Sequence, residues 1–202
     1  MQLFNLWPIP LLIDKISINP SWIKKIKKEE YYLFKDKSAY GSKDIHILDK
    51  YPDLKTSLEL KINHYVYNIL QVKKNVEFYI TTSWINKHKK GHFGGSHIHN
   101  NSMLSGVVYL VTDPNSGNIV FEKTNQYHNC FTTTVVPEYT EKNLFNSASF
   151  EVVVEPGMIA LFPSVLQHYI QRSNSDKDRY SIAFNIFAKG LFGDAMNEVN
   201  LK

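Results

Sequence analysis

The apolar residues of this chain change their spacing near position 76, and that change limits the fold more than any other feature. Before it, Leu54, Leu58, Ile62, Tyr65 and Ile69 recur every three or four residues and share one helix face. An earlier helix is expected to open at the Asn19-Pro20 cap and to run through Trp22, Ile23 and Ile26 to about Phe34. The stretch Lys35 to Tyr51 is looser and holds Gly41, Ser42 and Asp44. After the change, Phe78 to Ile85 is rich in β-branched and aromatic residues and reads as a strand. Leu104 to Val111, Asn118 to Glu122, Phe150 to Val154, Met158 to Phe162, Gln167 to Arg172 and Tyr180 to Phe187 read the same way. Turns punctuate them at Asp113 to Gly117 and at Pro156-Gly157, with a polar loop from Ser173 to Asp178. The expected fold is therefore mainly β, a sandwich or barrel preceded by helices. Residues 1–75 form an N-terminal strand and helical segment packing on a barrel of residues 76–202, in one structural domain. The irregular span Lys123 to Ser147 is long enough for a lid or for a surface excursion, and the tail after Gly190 is expected to be peripheral.

Composition sets the outer limits. At 202 residues, 43% apolar and 21% charged, the chain can build one core, and wholesale disorder is excluded. No run of apolar residues is long enough for a transmembrane helix. Leu3 to Ile13 is apolar, but Pro8 and Pro10 interrupt it, and it lacks a basic flank and a cleavage site, so a signal peptide is not expected. Cys130 is the only cysteine, which excludes an internal disulfide and a cysteine metal site and fits a reducing cytoplasm. The net charge is +4, with lysines grouped at Lys24, Lys25, Lys27 and Lys28 and at Lys87, Lys89 and Lys90. Glu29 and Glu30 dilute the first group, so nucleic acid is not the expected partner.

Chemistry collects in the second half. Four of the eight histidines lie between positions 88 and 99: His88, His92, His97 and His99. In extended chain, residues two apart point to one side, so His97 and His99 can reach one cation, with Gly94-Gly95-Ser96 allowing close approach. Taken alone, the pair reads equally well as surface or core histidines. Further on, Leu161-Phe162-Pro163-Ser164 breaks a strand before His168, and Arg179 and Ser181 share a strand face. A buried guanidinium needs a partner, which could be a ligand carboxylate or simply Asp176 or Asp178 in the adjacent loop. Trp84, Phe93 and Tyr169 are either cleft walls or core. His46, His64, His88 and His128 read as structural or surface residues. There is no glycine-rich dinucleotide fingerprint and no phosphate-loop lysine.

Together these residues carry a resemblance. Ser102-Met103-Leu104-Ser105-Gly106-Val107-Val108-Tyr109, the preceding His97-Ile98-His99, and the later Leu161 to Ser164, His168 and Arg179-Tyr180-Ser181-Ile182-Ala183-Phe184-Asn185 resemble a family of 2-oxoglutarate/Fe(II)-dependent oxygenases found in bacteria and their phages. The likeness spans roughly Trp84 to Phe187, and Leu3-Phe4 with Trp7-Pro8-Ile9 resembles the family's opening. The resemblance implies a double-stranded β-helix (a jelly roll, cupin-like barrel) with Fe(II) at its mouth. It implies His97 and His168 as iron ligands and Arg179, with Ser181 beside it, on the distal carboxylate of 2-oxoglutarate. Asn86 and Tyr109 stand on expected strands close to the site, either as further donors to 2-oxoglutarate or as ordinary strand-packing and turn residues. The implied activity is hydroxylation of a substrate C–H bond with release of succinate and carbon dioxide. The implied partners are a small molecule or peptide and molecular oxygen, in the cytoplasm of a bacterial or phage-infected cell. The departure is His99, where a carboxylate is usual. Three neutral imidazoles leave the ion at +2, whereas two and a carboxylate leave it at +1. His99 then is either the third ligand or a residue behind the ligands, with a carboxylate such as Glu122 approaching instead.

Two other readings remain at this point. A cupin-like three-histidine metalloprotein fits Gly91, His97, His99, Gly157, Pro163 and His168. It places Met103 or Leu104 where a glutamate is expected and Val165 where a glycine is expected, and it makes Arg179 structural. A non-catalytic β-barrel accessory protein would leave the histidines without metal.

Overall fold

Two sheets of antiparallel strands carry almost the whole chain after position 76. The computed structural model describes residues 1–4, 6, 8–124 and 137–202, so Trp7, His128, Cys130 and much of the 123–147 span lie outside the described residues. Eight strands make the barrel: β4 (Val76–His88), β5 (Gly94–His97), β6 (Leu104–Val111), β7 (Ile119–Glu122), β8 (Ser149–Val152), β9 (Met158–Pro163), β10 (His168–Ile170) and β11 (Arg179–Phe192). They pair as nested partners, β4 with β11, β5 with β10, β6 with β9 and β7 with β8. The larger sheet holds the order β9-β6-β11-β4, and the smaller holds β5-β10-β7-β8. This is one long hairpin rolled so that successive pairs fall in alternate sheets, the topology of a double-stranded β-helix. The fold expected from the sequence is the fold observed.

The N-terminal segment adds to the larger sheet at both edges. β1 (Leu12–Lys15) pairs with β9, while β2 (Tyr31–Leu33) and β3 (Tyr40–Ser42) extend the other edge beyond β4. A last strand, β12 (Val199–Leu201), pairs with the end of β11 and is mostly exposed. Helix α1 (Pro20–Ile26) opens as expected, with the Asn19 side chain accepting from Ser21 N. It does not reach Phe34. It stops at Ile26 because Tyr31 to Leu33 is drawn into a hairpin with β3, where its backbone gains a ladder, and the Tyr31 hydroxyl donates back to the Ile26 carbonyl. Residues 35–51, read as loose, contain β3 and a short helical turn, Ile47–Lys50, tied to β4 by Leu48 N donating to Ser83 Oγ at 3.0 Å. The second helix, α2 (Pro52–Asn63), continues through a wider turn over His64–Ile69.

Burial on both faces of the larger sheet explains its near-continuous apolar strands. One face meets the helices, where Leu54, Leu58, Ile62 and Tyr65 pack with Val108, Ile159, Ile182 and Phe184. The other face meets the smaller sheet through Val107, Tyr109, Ile119, Phe121, Met158 and Phe162. Gly106 serves the first core by absence: a Cβ there would stand 2.3 Å from the Phe184 ring. The Tyr65 hydroxyl donates to the Pro10 carbonyl at 2.7 Å and so anchors the N-terminal arm to this core.

The helix face can be checked by a pair of substitutions. Leu58 is fully buried and Leu60 is 64% exposed, two positions apart on α2. Leu58→Ala is expected to cost about 2–5 kcal/mol in denaturant unfolding. Leu60→Ala should stay within about 0.5 kcal/mol of the native chain.

Candidate functional site

Strand alternation decides which side chains share the space between the sheets. On the larger sheet, three rungs line up across β4, β11 and β6. The first is Trp84, Ala183 and Val107, the second Asn86, Ser181 and Tyr109, and the third His88 with Arg179. Because Val107 and Tyr109 pack against the smaller sheet, their neighbours on each rung face it too.

Across from them, His97 ends β5 and His168 opens β10, and the two are direct cross-strand partners. His99 follows His97, its backbone N donating to the Ser164 carbonyl at 3.0 Å. One ligand atom from each of His97, His99 and His168 lies within 4.8 Å of the other two. The ring of His97 is 4.5 Å from that of His168, and His99 stacks on His168 at 5.3 Å with the planes 3° apart.

Local bonds fix the ring nitrogens. A carbonyl oxygen can only accept, so Nδ1 of His97 donates to Gly95 O at 2.7 Å and Nδ1 of His168 donates to Leu166 O at 3.0 Å. In both rings this leaves Nε2 with a free lone pair, the state a metal ligand requires. Asn185, whose side chain bonds Thr82 and Ser105, stands near His99 and partly offsets the effect of burial on its ring. Burial pushes His99 and His168 down to about 4, so both are neutral at ordinary pH. Phe162 packs edge-on against His168 at 4.8 Å and Trp84 lies 5.9 Å from His99, while His97 remains exposed. Three convergent imidazoles with one open side could hold a ferrous ion and leave it positions for other ligands.

Arg179 lies two rungs deeper than Trp84 and is only 1% exposed. Among the described residues its hydrogen-bond partners are all neutral: Gly117 O at 3.0 Å, Ser116 O at 3.5 Å and His88 Nδ1 at 3.1 Å. The guanidinium sits 5.6 Å from the centre of the Tyr109 ring. The Arg179 Nε and the Tyr109 hydroxyl are buried without a partner among the described residues. Two unpaired donors beside an uncompensated cation fit a carboxylate.

Several sequence expectations meet the structure here. Asp176 and Asp178 do not hold Arg179. Asp176 pairs with Lys90 at 2.8 Å and Asp178 with Lys87 at 2.9 Å, because the loop turns both acids outward while Arg179 points in. Glu122 does not approach the histidines. Phe121 and His168 face the inter-sheet space, so Glu122 and Gln167 face away, where Glu122 accepts from Ser96 Oγ. Tyr169 also alternates away from the site, and Phe93 lies under the Arg172 guanidinium at 4.8 Å. Trp84 alone of the three aromatic candidates stands at the cluster. Ser181 is buried beside Arg179, and Asn86 Oδ1 accepts from Trp84 Nε1 at 3.2 Å. Sequence reasoning missed His88 and Asn185, whose neighbours Arg179 and Ser105 lie far away in the chain. The β4–β11–β6 register reveals them, and no local pattern does.

No curated protein sequence matches the chain. Solved structures do. An oxidoreductase of the 2OG-Fe(II) oxygenase family from Burkholderia pseudomallei superposes with a TM-score of 0.59 at 11% identity, covering 87% of this chain and 83% of that one. HygX from Streptomyces hygroscopicus, with nickel and 2-oxoglutarate bound, gives 0.59 at 12% identity over 88% and 82%. SnoN, a non-heme alpha-ketoglutarate-dependent epimerase from nogalamycin biosynthesis, gives 0.62 at 9% identity over 90% and 81%. At such identities the likeness establishes the fold. The family model described as "Putative 2OG-Fe(II) oxygenase" matches residues 82–185, from the middle of β4 to the middle of β11. That match takes in just over half of the 202 residues, and the chain belongs to the 2OG-Fe(II) oxygenase family, whose cofactors are ferrous iron and 2-oxoglutarate.

Proposed function

We propose that this chain hydroxylates a C–H bond of a small-molecule or peptide substrate, consuming oxygen and 2-oxoglutarate and releasing succinate and carbon dioxide. In this reading His97, His99 and His168 bind the iron, and Arg179 binds the distal carboxylate of 2-oxoglutarate with Tyr109, Ser181 and Asn86 around it. One observation carries it: a buried arginine with only neutral partners shares the inter-sheet space with three convergent imidazoles. When bound, the iron and keto acid supply oxygen activation driven by oxidative decarboxylation.

The residues supply everything else. Gly95 and Leu166 carbonyls hold the His97 and His168 protons on Nδ1 and keep both Nε2 lone pairs turned outward from those bonds. Asn185 stands near His99. Three neutral ligands would leave the ferrous charge at +2, so that iron, Arg179 and dianionic 2-oxoglutarate together would carry a net +1. Arg179 would hold the distal carboxylate in a buried site, where a forked charge-assisted pair is strongest. Phe121 and Phe162 pack against His168 and Trp84 against His99, shielding those two rings from water while His97 stays open.

Two measurements test the assignment. In anaerobic titrations with Fe(II), His168→Ala is expected to lose metal affinity beyond the ~10–100-fold typical of losing an outer partner of a ligand. His99→Asp should retain metal binding and succinate production, because a carboxylate can occupy the same position, and His99→Ala should lose both. A second titration follows the keto acid. Arg179→Ala is expected to weaken 2-oxoglutarate binding at least ~30-fold with Fe(II) affinity nearly intact. Arg179→Lys should rescue poorly, since an ammonium cannot make the planar fork. Unchanged 2-oxoglutarate affinity in folded Arg179→Ala would overturn the proposed role.

A further inference from the structure

A buried arginine is ordinarily held by a carboxylate, since an unpaired charge in the interior is costly. Arg179 is held by two main-chain carbonyls and an imidazole instead. We propose that His88 positions the Arg179 guanidinium without cancelling its charge, so that the full positive charge is kept for the distal carboxylate of 2-oxoglutarate. This inference rests on the role given to Arg179 above and adds a residue to it.

The placement of His88 follows from the pairing. Arg179 and His88 are opposite residues at the start of β11 and the end of β4, so both side chains leave the sheet on one face. A guanidinium has donors only, so the 3.1 Å contact requires the lone pair of His88 Nδ1 and puts the ring proton on Nε2. Burial, and then the neighbouring guanidinium, push the imidazole down to about 2, so it stays neutral at any working pH. His88 is itself only 3% exposed, and its Nε2 is unpartnered among the described residues.

The nearby acids are engaged elsewhere. Asp113 accepts from Ser175 Oγ and Asn115 N, Asp176 from Lys90, and Asp178 from Lys87. A carboxylate at position 88 would form a bidentate pair with Arg179 and leave little field for a second one. An imidazole fixes the rotamer, and Gly117, a left-handed residue with φ +84°, turns its carbonyl onto the other side of the fork. The guanidinium is thereby oriented from both sides while Nε and the facing Tyr109 hydroxyl stay unpaired.

The decisive variant changes charge and little else. His88→Asn offers an amide oxygen close to where Nδ1 stands, and His88→Asp offers the same shape with a negative charge. Each is loaded with Mn(II), and 2-oxoglutarate binding is followed by calorimetry, with thermal unfolding recorded in parallel. His88→Asn should bind 2-oxoglutarate within ~3-fold of the native chain, and His88→Asp should bind it at least ~30-fold more weakly, with unfolding temperature and Mn(II) affinity unchanged or raised. A purely structural role predicts the opposite order, since a carboxylate is the stronger partner for arginine. His88→Asp binding as well as His88→Asn would overturn the inference. Should His88→Asp fail to fold, His88→Leu carries the test in its place. It should weaken 2-oxoglutarate at least ~5-fold while leaving 2-oxobutyrate, which lacks the distal carboxylate, unchanged. Equal loss for both keto acids would sink the proposal. Arg179→Ala in the same titration separates the two levels. If it binds 2-oxoglutarate normally, the Arg179 assignment fails. If it loses binding while the His88 variants do not, only the role of His88 fails.

Discussion

The nested antiparallel pairing of β4 through β11 is the constraint on which the rest of the molecule depends. The chain runs out through β4, β5, β6 and β7 and returns through β8, β9, β10 and β11, each strand paired to its mirror partner. Residues far apart in sequence therefore meet in fixed register. His97 meets His168 on one sheet, and His88 meets Arg179 on the other. Because side chains alternate, a slip of one residue in either pair would turn both members to the wrong face. The barrel and its chemistry are thus specified by the same hydrogen-bond ladders.

The larger sheet separates two interiors of different character. Its helix-facing side is mostly apolar, with Ile85, Val108, Ile182 and Phe184 against Leu54 and Tyr65, and its buried Ser83 is bonded by Leu48 N. Its barrel-facing side carries Arg179, Ser181, Ser105, Asn185 and His88 among Val107, Tyr109 and Phe162. Burying those polar groups works against folding unless each is bonded, and most are. Ser105 and Ser164 share a hydrogen bond at 2.8 Å, Ser164 reaches Ser102 at 2.9 Å, and Asn185 bridges Ser105 and Thr82. The first interior supplies cohesion, through side chains that each contribute roughly 1.5–3 kcal/mol on burial. The second tolerates a cation and several unpaired donors only because the first is there.

Some of this is plain in the sequence, and the rest is hidden there for physical reasons. The strand Leu104–Val111 and the strand ending at Phe162-Pro163 are legible because strands buried on both faces read as unbroken apolar runs bounded by turns. His97, His99, His168 and Arg179 are legible as a joint pattern, and the structure brings the three histidines within reach of one ion. The helix expected to reach Phe34 marks the limit of local reasoning. Tyr31 and Phe34 keep a helical spacing from Ile23 and Ile26, yet the edge of the sheet offers Tyr31 to Leu33 a backbone ladder that periodicity cannot register. His88 and Asn185 are invisible for the same reason. Their partners lie 91 and 80 residues away in sequence, and only register makes them neighbours.

The nesting also bears on loop length. The segment joining β7 to β8 is the innermost turn of the whole barrel, so no other strand pair is closed through it alone. Lengthening it shifts no register elsewhere, and doubling such a loop adds only about 0.6 kcal/mol of closure entropy. Every other connection in the barrel is threaded between pairs that must keep step. A change in the length of that one segment therefore leaves the pairing that sets the histidine cluster and the buried arginine untouched.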